Sequence, residues 1–518
     1  MAHLGLDLIK ASEILTSEKY GDWYRDPWGW PECQPDFART LHAEDLGVKK
    51  ADKKFVFEAV PSFHLFSVPK SFLGVRPAVI QDPRTRLAYT AAAIRLASKL
   101  HASLPEWVYG WRFRDGIYSH KGSEEWLDYK TSQSQISSTE YAAQTDITSF
   151  FSSIDTDSLL RRITEVTQDH GVTTHIISKV LSEHGKFPGR SGLPQRSTAS
   201  ALLAQFALNG VDDLIAARLG DGRITSARRW MDDISFEGPE HELYDLLLKL
   251  QEHGRKSGLE LNTSKTFLTS GRASAEKLRI EAQGLIQLPM TTVTIETDYG
   301  EHEATYIDAS MLEKAEDEIL RDPAGADRSE IGMVIKSLLY YEHFDRVQDW
   351  MVAATRLPHA ADRIGRYLAT ANRNFRGRLD LSQWFDKLYS SPWNYPAWAN
   401  AQLALAVSSD DLNSTIRNHL ESWLSESQNL QMVAVAVQRL ATTEPARFRT
   451  LSAERIESEH DTLLVRLLAL GQLTAGSSQS DVQSSLLRNP NNGIILKYLE
   501  YSGWELPSVS GDFDATGR

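Results

Sequence analysis

The first half of the chain alternates between two spacings of apolar residues. Helical spacing is present in RLAYTAAAIRLASKLHASL (86–104) and HELYDLLLKLQEHGRKSG (241–258), whose apolar residues recur every three or four positions. YAAQTDITSFFSSID (141–155) is instead typical of a strand that ends in a turn, and RRWMDDISFEG (228–238) of a β-hairpin. The polar, Ser-rich stretch KTSQSQISSTE (130–140) predicts a loop. This mixture predicts an α/β or α+β domain.

The second half has one character throughout. From about residue 310 to residue 503, Leu- and Ala-rich helical patterns follow one another with short polar connections, as in SEIGMVIKSLLYYEHF (329–344) and NLQMVAVAVQRLA (429–441). These helices come in pairs, as in helical-repeat arrays, although no repeat of fixed period is present. The predicted divisions are a first domain at 1–285, a connecting hairpin at 286–310, an all-α helical-repeat-like domain at 311–504 and a flexible tail at 505–518.

Composition places this pattern in a soluble globular protein. The chain of 518 residues is 41% hydrophobic and 24% charged, and it has no apolar run long enough to span a bilayer. The N-terminus lacks the basic and apolar regions of a secretory signal. A single cysteine, Cys33, excludes an intramolecular disulfide and a multi-cysteine metal site. We therefore expect a cytoplasmic protein without membrane partners.

Charge is distributed unevenly between the halves. The net charge is −13, which by itself argues against nucleic-acid binding. Residues 1–270 contain 32 Lys and Arg against 35 Asp and Glu, a net of −3, whereas the remainder contains 24 against 34, a net of −10. A local basic groove is therefore expected in the first half, and the acidic second half is not expected to be the main nucleic-acid surface.

The strongest chemical signal is a set of three aspartates in two strand-like segments. Asp146 lies in TDITSFF, and Asp232 and Asp233 lie in RWMDDISF, 86 residues further on. Two aspartates at the tip of a hairpin can approach a third on a neighbouring strand, and carboxylate oxygens suit the magnesium ions that assist phosphoryl transfer. Paired aspartates are also common turn residues, so the triad alone does not define a catalytic site.

The segments around these aspartates resemble reverse transcriptases, in the order of that family's motifs. VPKSFLGVRPAVIQDP (68–83) is similar to the fingers segment, and DITSFF (146–151) to the first catalytic strand. GLPQRSTASALLAQFAL (192–208) resembles the proline-glutamine loop with its helix, WMDD (230–233) the aspartate hairpin, and GLELNTSKT (258–266) the following strand with its lysine. The resemblance implies an α+β fold of right-hand-like polymerase fingers and palm, with an antiparallel palm sheet, followed by the all-α domain.

The resemblance also implies a metal site. Asp146 and Asp232 match the principal ligands, Asp233 matches a less directly coordinating carboxylate, and the backbone carbonyl of Ile147 matches a further ligand. The implied cofactors are two Mg²⁺ ions, with Mn²⁺ as an alternative. Met231 is the reverse-transcriptase residue at a position where related RNA-dependent RNA polymerases usually have glycine.

Other matched positions imply contacts with an incoming dNTP. Lys70 and Arg76 match residues that meet the triphosphate, Phe151 falls at the steric gate that excludes a ribose 2′-hydroxyl, and Gln195 would lie against the nucleotide or template. Lys265 matches a general acid for the departing pyrophosphate. Four of these residues also have a simpler interpretation: a solvated pair for Lys70 and Arg76, core packing for Phe151, and a surface position for Lys265.

Two positions depart from the family pattern. Arg196 replaces the glycine of the Pro-Gln-Gly motif, where a bulky cation either contacts phosphate or narrows the cleft. Trp230 replaces the usual Tyr or Phe before the x-Asp-Asp sequence. Neither removes a metal ligand, but both argue against ordinary processive copying of long templates.

The order of domains resembles the bacterial abortive-infection and defence-associated reverse transcriptases. That resemblance implies antiphage defence by DNA synthesis, with either a partner non-coding RNA as template or template-independent synthesis from a protein hydroxyl, and assembly as a homo-oligomer. The flexible segment 130–140, or a tyrosine of the helical half, would supply that hydroxyl. Two alternatives stay open: an RNA-synthesising polymerase on the same palm, against which Phe151 argues, and a non-catalytic helical scaffold with a relic palm, against which the intact aspartates argue.

Overall fold

The described part of the chain forms two compact units. The computed structural model describes residues 4–18, 23–51, 54–114, 117–118, 122–135, 140–187, 191–273, 289–297, 300–375, 379–394 and 396–509. The first unit comprises residues 1–18, 33–63 and 81–284, and the second comprises residues 19–32, 64–80 and 285–518. The predicted domain limits stay predictions.

The described strands form one larger sheet and several two-stranded pairs. They are β1 (Val48–Ala51), β2 (Lys54–Phe57), β3 (Phe63–Pro69), β4 (Val75–Gln81), β5 (Val108–Tyr109), β6 (Phe113–Arg114), β7 (Ile117–Tyr118), β8 (Tyr141–Thr145), β9 (Ser226–Trp230), β10 (Asp233–Gly238), β11 (Phe267–Ser270), β12 (Met290–Thr297) and β13 (Gly300–Ile307).

The described helices alternate with the strands in the first unit and follow one another in close succession in the second. They are α1 (Leu8–Glu18), α2 (Pro35–Ala38), α3 (Pro83–Leu100), α4 (Gly122–Ser134), α5 (Phe150–Ser153), α6 (Thr156–Thr167), α7 (Val172–Gly185), α8 (Thr198–Ala207), α9 (Asn209–Gly220), α10 (Glu240–Lys256), α11 (Ala309–Arg321), α12 (Arg328–Tyr340), α13 (Val347–Ala353), α14 (Ala361–Asn374), α15 (Leu381–Tyr389), α16 (Ala397–Ala404), α17 (Ser414–Glu426), α18 (Leu430–Thr443), α19 (Pro445–Ser458), α20 (Thr462–Thr474), α21 (Gln479–Leu487) and α22 (Gly493–Tyr501).

The five-stranded sheet of the first unit has the order β11-β8-β10-β9-β5. Its pairs are antiparallel, except that the short β5 runs parallel to β9. Ile234 of β10 pairs with Thr145 of β8, and β10 is buried along most of its length. The pairing of β8 with β10 therefore brings the end of one strand and the start of the other, which are distant in sequence, to the same end of the sheet.

Helix α3 is the central helix of the first unit. It begins after Asp82, whose side chain accepts the backbone N–H of Thr85 at 3.1 Å, and Pro83 occupies its first position. Most of its residues are buried, because it packs against α1, α6, α7 and α8. The helical spacing at 86–104 thus marks a helix that is interior on nearly all sides.

Helices of the second unit alternate between interior and surface positions. Nearly all residues of α18 and α20 are buried, whereas α19 between them buries one face that includes Phe448 and Ile456. Many of these helices begin at a residue whose side chain accepts a backbone N–H of the first turn. These capping residues are Asp308, Asp327, Asp380, Asn413, Asn429, Asp461 and Ser478.

A buried ion cluster anchors the N-terminal segment of the second unit to helix α20. Arg466 binds Asp26 and Glu32, each at 2.5 Å, and all three side chains are at most 1% exposed. The Arg466 guanidinium also lies over the Trp30 ring, 4.8 Å from its centroid. Removing one partner would leave a buried charge uncompensated, at a cost of about 3–5 kcal/mol.

The α+β class with a helical second half is confirmed, while its repeat-like character stays a prediction. The loop predicted at 130–140 is wrong as far as Ser134, because α4 continues to that residue, and residues 136–139 lie outside the described ones. The strand predicted from Tyr141 ends at Thr145 and is followed by the short α5. Within the described residues, no helix is both long and apolar enough to cross a membrane.

Candidate active site

The paired aspartates lie at the tip of the hairpin formed by β9 and β10. Trp230 pairs with Asp233, so Met231 and Asp232 form a two-residue loop. Met231 is buried and has a φ of +53°, the left-handed region that a tight hairpin loop requires and that glycine usually occupies. A non-glycine residue in this conformation is strained, and strain of this kind is concentrated at functional sites.

Asp146 lies beside this tip. The antiparallel register pairs Ile234 with Thr145, and one step further along it Asp146 is opposite Asp233. Asp146 is buried, with 6% of its surface exposed. The sheet thus brings together the three aspartates that the sequence singled out.

Ile147 forms an isolated antiparallel bridge with Leu261. The backbone N–H of Asn262 donates to the Asp146 carbonyl at 2.7 Å, and that of Thr148 donates to the Glu260 carbonyl at 2.8 Å. These two bonds involve the residues on either side of Ile147, so its own carbonyl lies outside the bridge. This placement is compatible with the ligand role that the resemblance implies.

Lys265 is the cation nearest to this group for which the structure gives a contact. Its Nζ donates to a carboxylate oxygen of Asp146, and its backbone N–H donates to the Asn262 carbonyl at 3.0 Å. Burial alone would lower the pKa of Lys265. Its hydrogen bond to Asp146 and the charges of Asp146, Asp233 and Asp232 together have a larger, opposite effect, so the pKa of Lys265 is raised. Lys265 is therefore a protonated counter-ion of the carboxylates.

The carboxylates repel one another. Burial, followed by the charges of Asp233 and Asp146, raises the pKa of Asp232 to about 7. Across the described residues, no three His, Cys, Asp or Glu side chains are close enough to form a complete metal site. The donor set still suits a hard divalent ion, because magnesium needs only one or two carboxylates in addition to water and substrate phosphates.

A loop from Ser191 to Gln195 is attached to the short helix α5, which follows Asp146. The backbone N–H of Leu193 donates to the Phe151 carbonyl at 2.8 Å, and Ser191 Oγ donates to the Ser152 carbonyl at 2.7 Å. Gln195 Nε2 lies 3.5 Å from Ser152 Oγ. Phe151 is half-buried and packs edge-on against Phe150. The structure thus places Phe151 and Gln195 together, next to the segment that carries Asp146.

Gly192 makes this attachment sterically possible. Its φ is +69°, and a Cβ at this position would overlap with the carbonyl oxygen of Phe151. Backbone atoms cannot move aside as a flexible side chain can. The loop therefore depends on glycine for both its conformation and its close approach.

Arg196, which replaces the family's glycine, adopts the conformation that glycine would favour. Its φ is +68° and its side chain is exposed. A left-handed conformation costs a non-glycine residue about 1–2 kcal/mol. The substitution is therefore costly in the folded state.

Replacing Arg196 by glycine is expected to raise the free energy of unfolding by about 1 kcal/mol, because the strain at positive φ is relieved. If the side chain contacts triphosphate, the same change raises the KM for dNTP. Urea denaturation and steady-state incorporation measure the two effects. Gln168→Gly is the matched control, since Gln168 has a φ of +53° at a helix end of the same unit. A stability gain in both variants with an unchanged KM would leave Arg196 without a substrate role.

Trp230 packs into an aromatic cluster rather than standing alone. Its ring lies 4.8 Å from Trp126, 5.6 Å from Trp111 and 5.8 Å from Tyr129, measured between centroids. A Cβ on Gly110 would lie only 3.2 Å from the Trp230 ring. The larger residue is thus accommodated by helix α4 and by a glycine on the adjacent strand segment.

Sequence reasoning missed the residues beneath the hairpin loop. Arg229 is fully buried and binds Asp212, Gln205 and the Met231 carbonyl. Nothing in the spacing of these residues marks them, because Gln205 and Asp212 lie on two helices that are separate in sequence from the hairpin. The adjacent arginines of RRW were the available signal, since charged residues on a central strand need partners.

Lys70 and Arg76 lie outside the unit that holds the aspartates. Lys70 follows β3, and its backbone N–H donates to the Gly74 carbonyl at 2.7 Å; Arg76 is on β4. Both belong to the second unit and are exposed. Their predicted contact with triphosphate stays a prediction.

Comparison with known proteins agrees with the resemblance to reverse transcriptases. Residues 71–306 match the family model described as reverse transcriptase (RNA-dependent DNA polymerase). Over these residues the chain is therefore similar to reverse transcriptases, a class of nucleotidyltransferase.

Individual proteins add little to this assignment. Among solved structures, the chain is similar to telomerase from Candida albicans in complex with a TWJ fragment of telomeric RNA, at 10% sequence identity and a TM-score of 0.31. The match covers 81% of this chain and 64% of that chain, so the chain spans less than two thirds of its length. No curated protein matches the sequence significantly.

Proposed function

We propose that this protein is an RNA-directed or template-independent DNA polymerase that adds dNTPs by two-metal phosphoryl transfer. The observation that carries the proposal is the convergence of Asp146, Asp232 and Asp233 at one sheet edge, within the residues that are similar to reverse transcriptases. The raised pKa of Asp232 supports it, because carboxylates held this close favour a bound cation.

Magnesium is the proposed cofactor, and manganese would replace it. Asp146, Asp232, Asp233 and the carbonyl of Ile147 would hold the ions. When bound, two such ions activate the attacking hydroxyl and stabilise the leaving pyrophosphate. Lys265 would protonate that pyrophosphate, a role for which its raised pKa keeps the proton in place before reaction.

Residues next to the aspartates would select and orient the nucleotide. The ring of Phe151 would exclude a ribose 2′-hydroxyl, and Gln195 would contact the incoming nucleotide or the template. Arg196 would neutralise the triphosphate, and the resemblance implies the same role for Lys70 and Arg76, which belong to the second unit. The attachment of the Ser191–Gln195 loop to Phe151 and Ser152 supports a joint role for Phe151 and Gln195.

Replacing Phe151 by alanine is expected to let the enzyme use ribonucleotides, because the ring that would clash with the 2′-hydroxyl is removed. The ratio of dNTP to NTP incorporation should fall by about tenfold or more, a change of about 1.4 kcal/mol in discrimination. Phe150→Ala is the control, since Phe150 is a buried neighbour on the same helix. Stronger NTP use by the unmodified protein would instead favour an RNA-synthesising polymerase.

We further propose a role in antiphage defence in the cytoplasm, as part of a homo-oligomer. The joining of the polymerase domain to an acidic helical half supports this proposal, as it resembles the defence-associated reverse transcriptases. The template would be a partner non-coding RNA, or synthesis would begin without a template from a Tyr, Ser or Thr hydroxyl, leaving DNA attached to the protein.

An incubation without added primer distinguishes the two modes of synthesis. Protein purified without added nucleic acid is incubated with each dNTP and magnesium. DNA that remains on the protein through denaturation and is released by protease supports protein priming. Absence of such DNA, with activity restored by co-expressed RNA, overturns protein priming and supports a partner RNA. Sequencing of the co-purified nucleic acid then identifies the template.

A further inference from the structure

One guanidinium, that of Arg229, underlies the loop that carries Asp232. Nε and Nη2 donate to the two carboxylate oxygens of Asp212 at 2.7 and 2.6 Å. Nη1 donates to Gln205 Oε1 at 2.7 Å and to the Met231 carbonyl at 2.9 Å. The side chains of Arg229 and Asp212 are 0% and 3% exposed. The buried ion pair of Arg229 and Asp212 is thus hydrogen-bonded to the backbone of the loop formed by Met231 and Asp232.

Three elements fix the position of Arg229. Its backbone N–H donates to the Trp107 carbonyl at 3.0 Å, which ties it to the strand segment at β5. Gln205 comes from α8 and also donates to the carbonyls of Tyr109 and Gly110. Asp212 comes from α9. The guanidinium is therefore held by groups outside the hairpin, so it can act as a rigid support.

The loop needs such a support because two forces oppose its conformation. Met231 is at a φ of +53°, which costs a side-chain residue free energy that glycine would not lose. Asp232 is also repelled by the charges of Asp233 and Asp146. The hydrogen bond from the charged Arg229 guanidinium to the Met231 carbonyl stabilises the loop against both the strain and the repulsion. It is buried, and it is stronger than a hydrogen bond between neutral groups.

We propose that Arg229 is a positioning residue that fixes the Met231–Asp232 loop and thereby the direction of the Asp232 carboxylate. The inference rests on the proposed metal-dependent function of that carboxylate. Arginine has N–H groups for both carboxylate oxygens of Asp212 and a further N–H for the Met231 carbonyl. Lysine at this position would keep the positive charge but could not form this set of hydrogen bonds.

The first test compares cation binding by the unmodified protein and by Arg229→Lys. Terbium(III), a hard cation whose luminescence is sensitised by nearby tryptophan, is titrated into the full-length protein, and Asp232→Asn gives the blank. The half-saturating concentration should rise about tenfold in Arg229→Lys, as for other residues that orient metal ligands. The magnesium concentration for half-maximal dNTP incorporation should rise in parallel.

Arg218→Lys is the matched control. Arg218 is a largely buried arginine of the same unit that binds two carboxylates, Glu242 at 2.7 Å and Asp245. Its replacement should lower thermal stability without moving the terbium midpoint. If Arg229→Lys does not fold, as judged by circular dichroism, Gln205→Met is measured in its place, because it removes a neutral acceptor of Arg229 Nη1 and leaves the ion pair with Asp212 intact.

Rescue by glycine separates positioning from simple stabilisation. Adding Met231→Gly to Arg229→Lys removes the strain that the arginine opposes, so the terbium midpoint should return most of the way to its original value. If Arg229 only stabilised the core, the glycine would leave the midpoint of Arg229→Lys where it was, and the inference would be overturned. An unchanged midpoint in Arg229→Lys would overturn it as well. Absence of metal-dependent incorporation in the unmodified protein would instead contradict the proposed function.

Discussion

Replacing Asp232 by asparagine is expected to abolish nucleotide incorporation without loss of the fold. The substitution removes a negative charge proposed to hold the metal ions, while the shape of the side chain is retained. Metal ions contribute several kcal/mol to such reactions, so a loss of about 10³-fold or more in kcat is expected. Single-turnover dNTP incorporation measures it directly.

The same substitution should stabilise the fold, although it abolishes nucleotide incorporation. Because the pKa of Asp232 is raised to about 7 in the folded state, folding binds a proton, and ionisation of this group destabilises the fold as pH rises from its usual pKa of 3.8 through 7. Asparagine cannot ionise, so without divalent metal the variant should be at least as stable as the original above pH 7, by on the order of 1 kcal/mol. Urea denaturation at pH 6 and pH 8 tests the sign.

Asp213→Asn is the control for this experiment, because Asp213 is an exposed aspartate of the same unit on α9. It should retain incorporation. A second arm measures protection against phage in cells that carry either variant. Protection that survives Asp232→Asn would contradict the enzymatic proposal and favour a non-catalytic scaffold.

The aspartate site was predictable because its signal is local and ordered. A hairpin with two central residues puts Asp232 at its tip, and the apolar strand before Asp146 has to pair within the same sheet to be buried. The resemblance to reverse transcriptases then implied that these strands belong to one antiparallel sheet. Neither step needs information on side-chain packing.

Residues that act through burial could not be found this way. Arg229 binds Gln205 and Asp212, which are 24 and 17 residues earlier, and these contacts depend on how two helices pack against the sheet. The helix at Gly122–Ser134 was also missed, because its serines favour a loop locally while Trp126 and Tyr129 pack against Trp230. Tertiary packing overrides local preference there.

The prediction for Gly192 depends on a contact that sequence alone does not reveal. Gly192→Ala is expected to displace the Ser191–Gln195 loop, because the new methyl group would overlap with the Phe151 carbonyl oxygen and would lie 2.9 Å from the Ser152 carbonyl carbon. Misplacing Gln195 and Phe151 should lower kcat/KM for dNTP by about 10²-fold. Steady-state incorporation over a range of dNTP concentrations measures this loss.

Gly222→Ala separates the two causes of damage. Gly222 is in the same unit with a φ of +67°, but a Cβ there would meet no atom within 4 Å. The free energy of unfolding of Gly222→Ala should therefore fall only by the cost of positive φ, about 1 kcal/mol. Nucleotide incorporation by this variant should be normal. Gly192→Ala should lose about 1–3 kcal/mol more, from overlap with backbone that cannot yield. Equal losses in both variants, with activity retained, would show that the loop tolerates displacement and that Gln195 and Phe151 do not act together on the nucleotide.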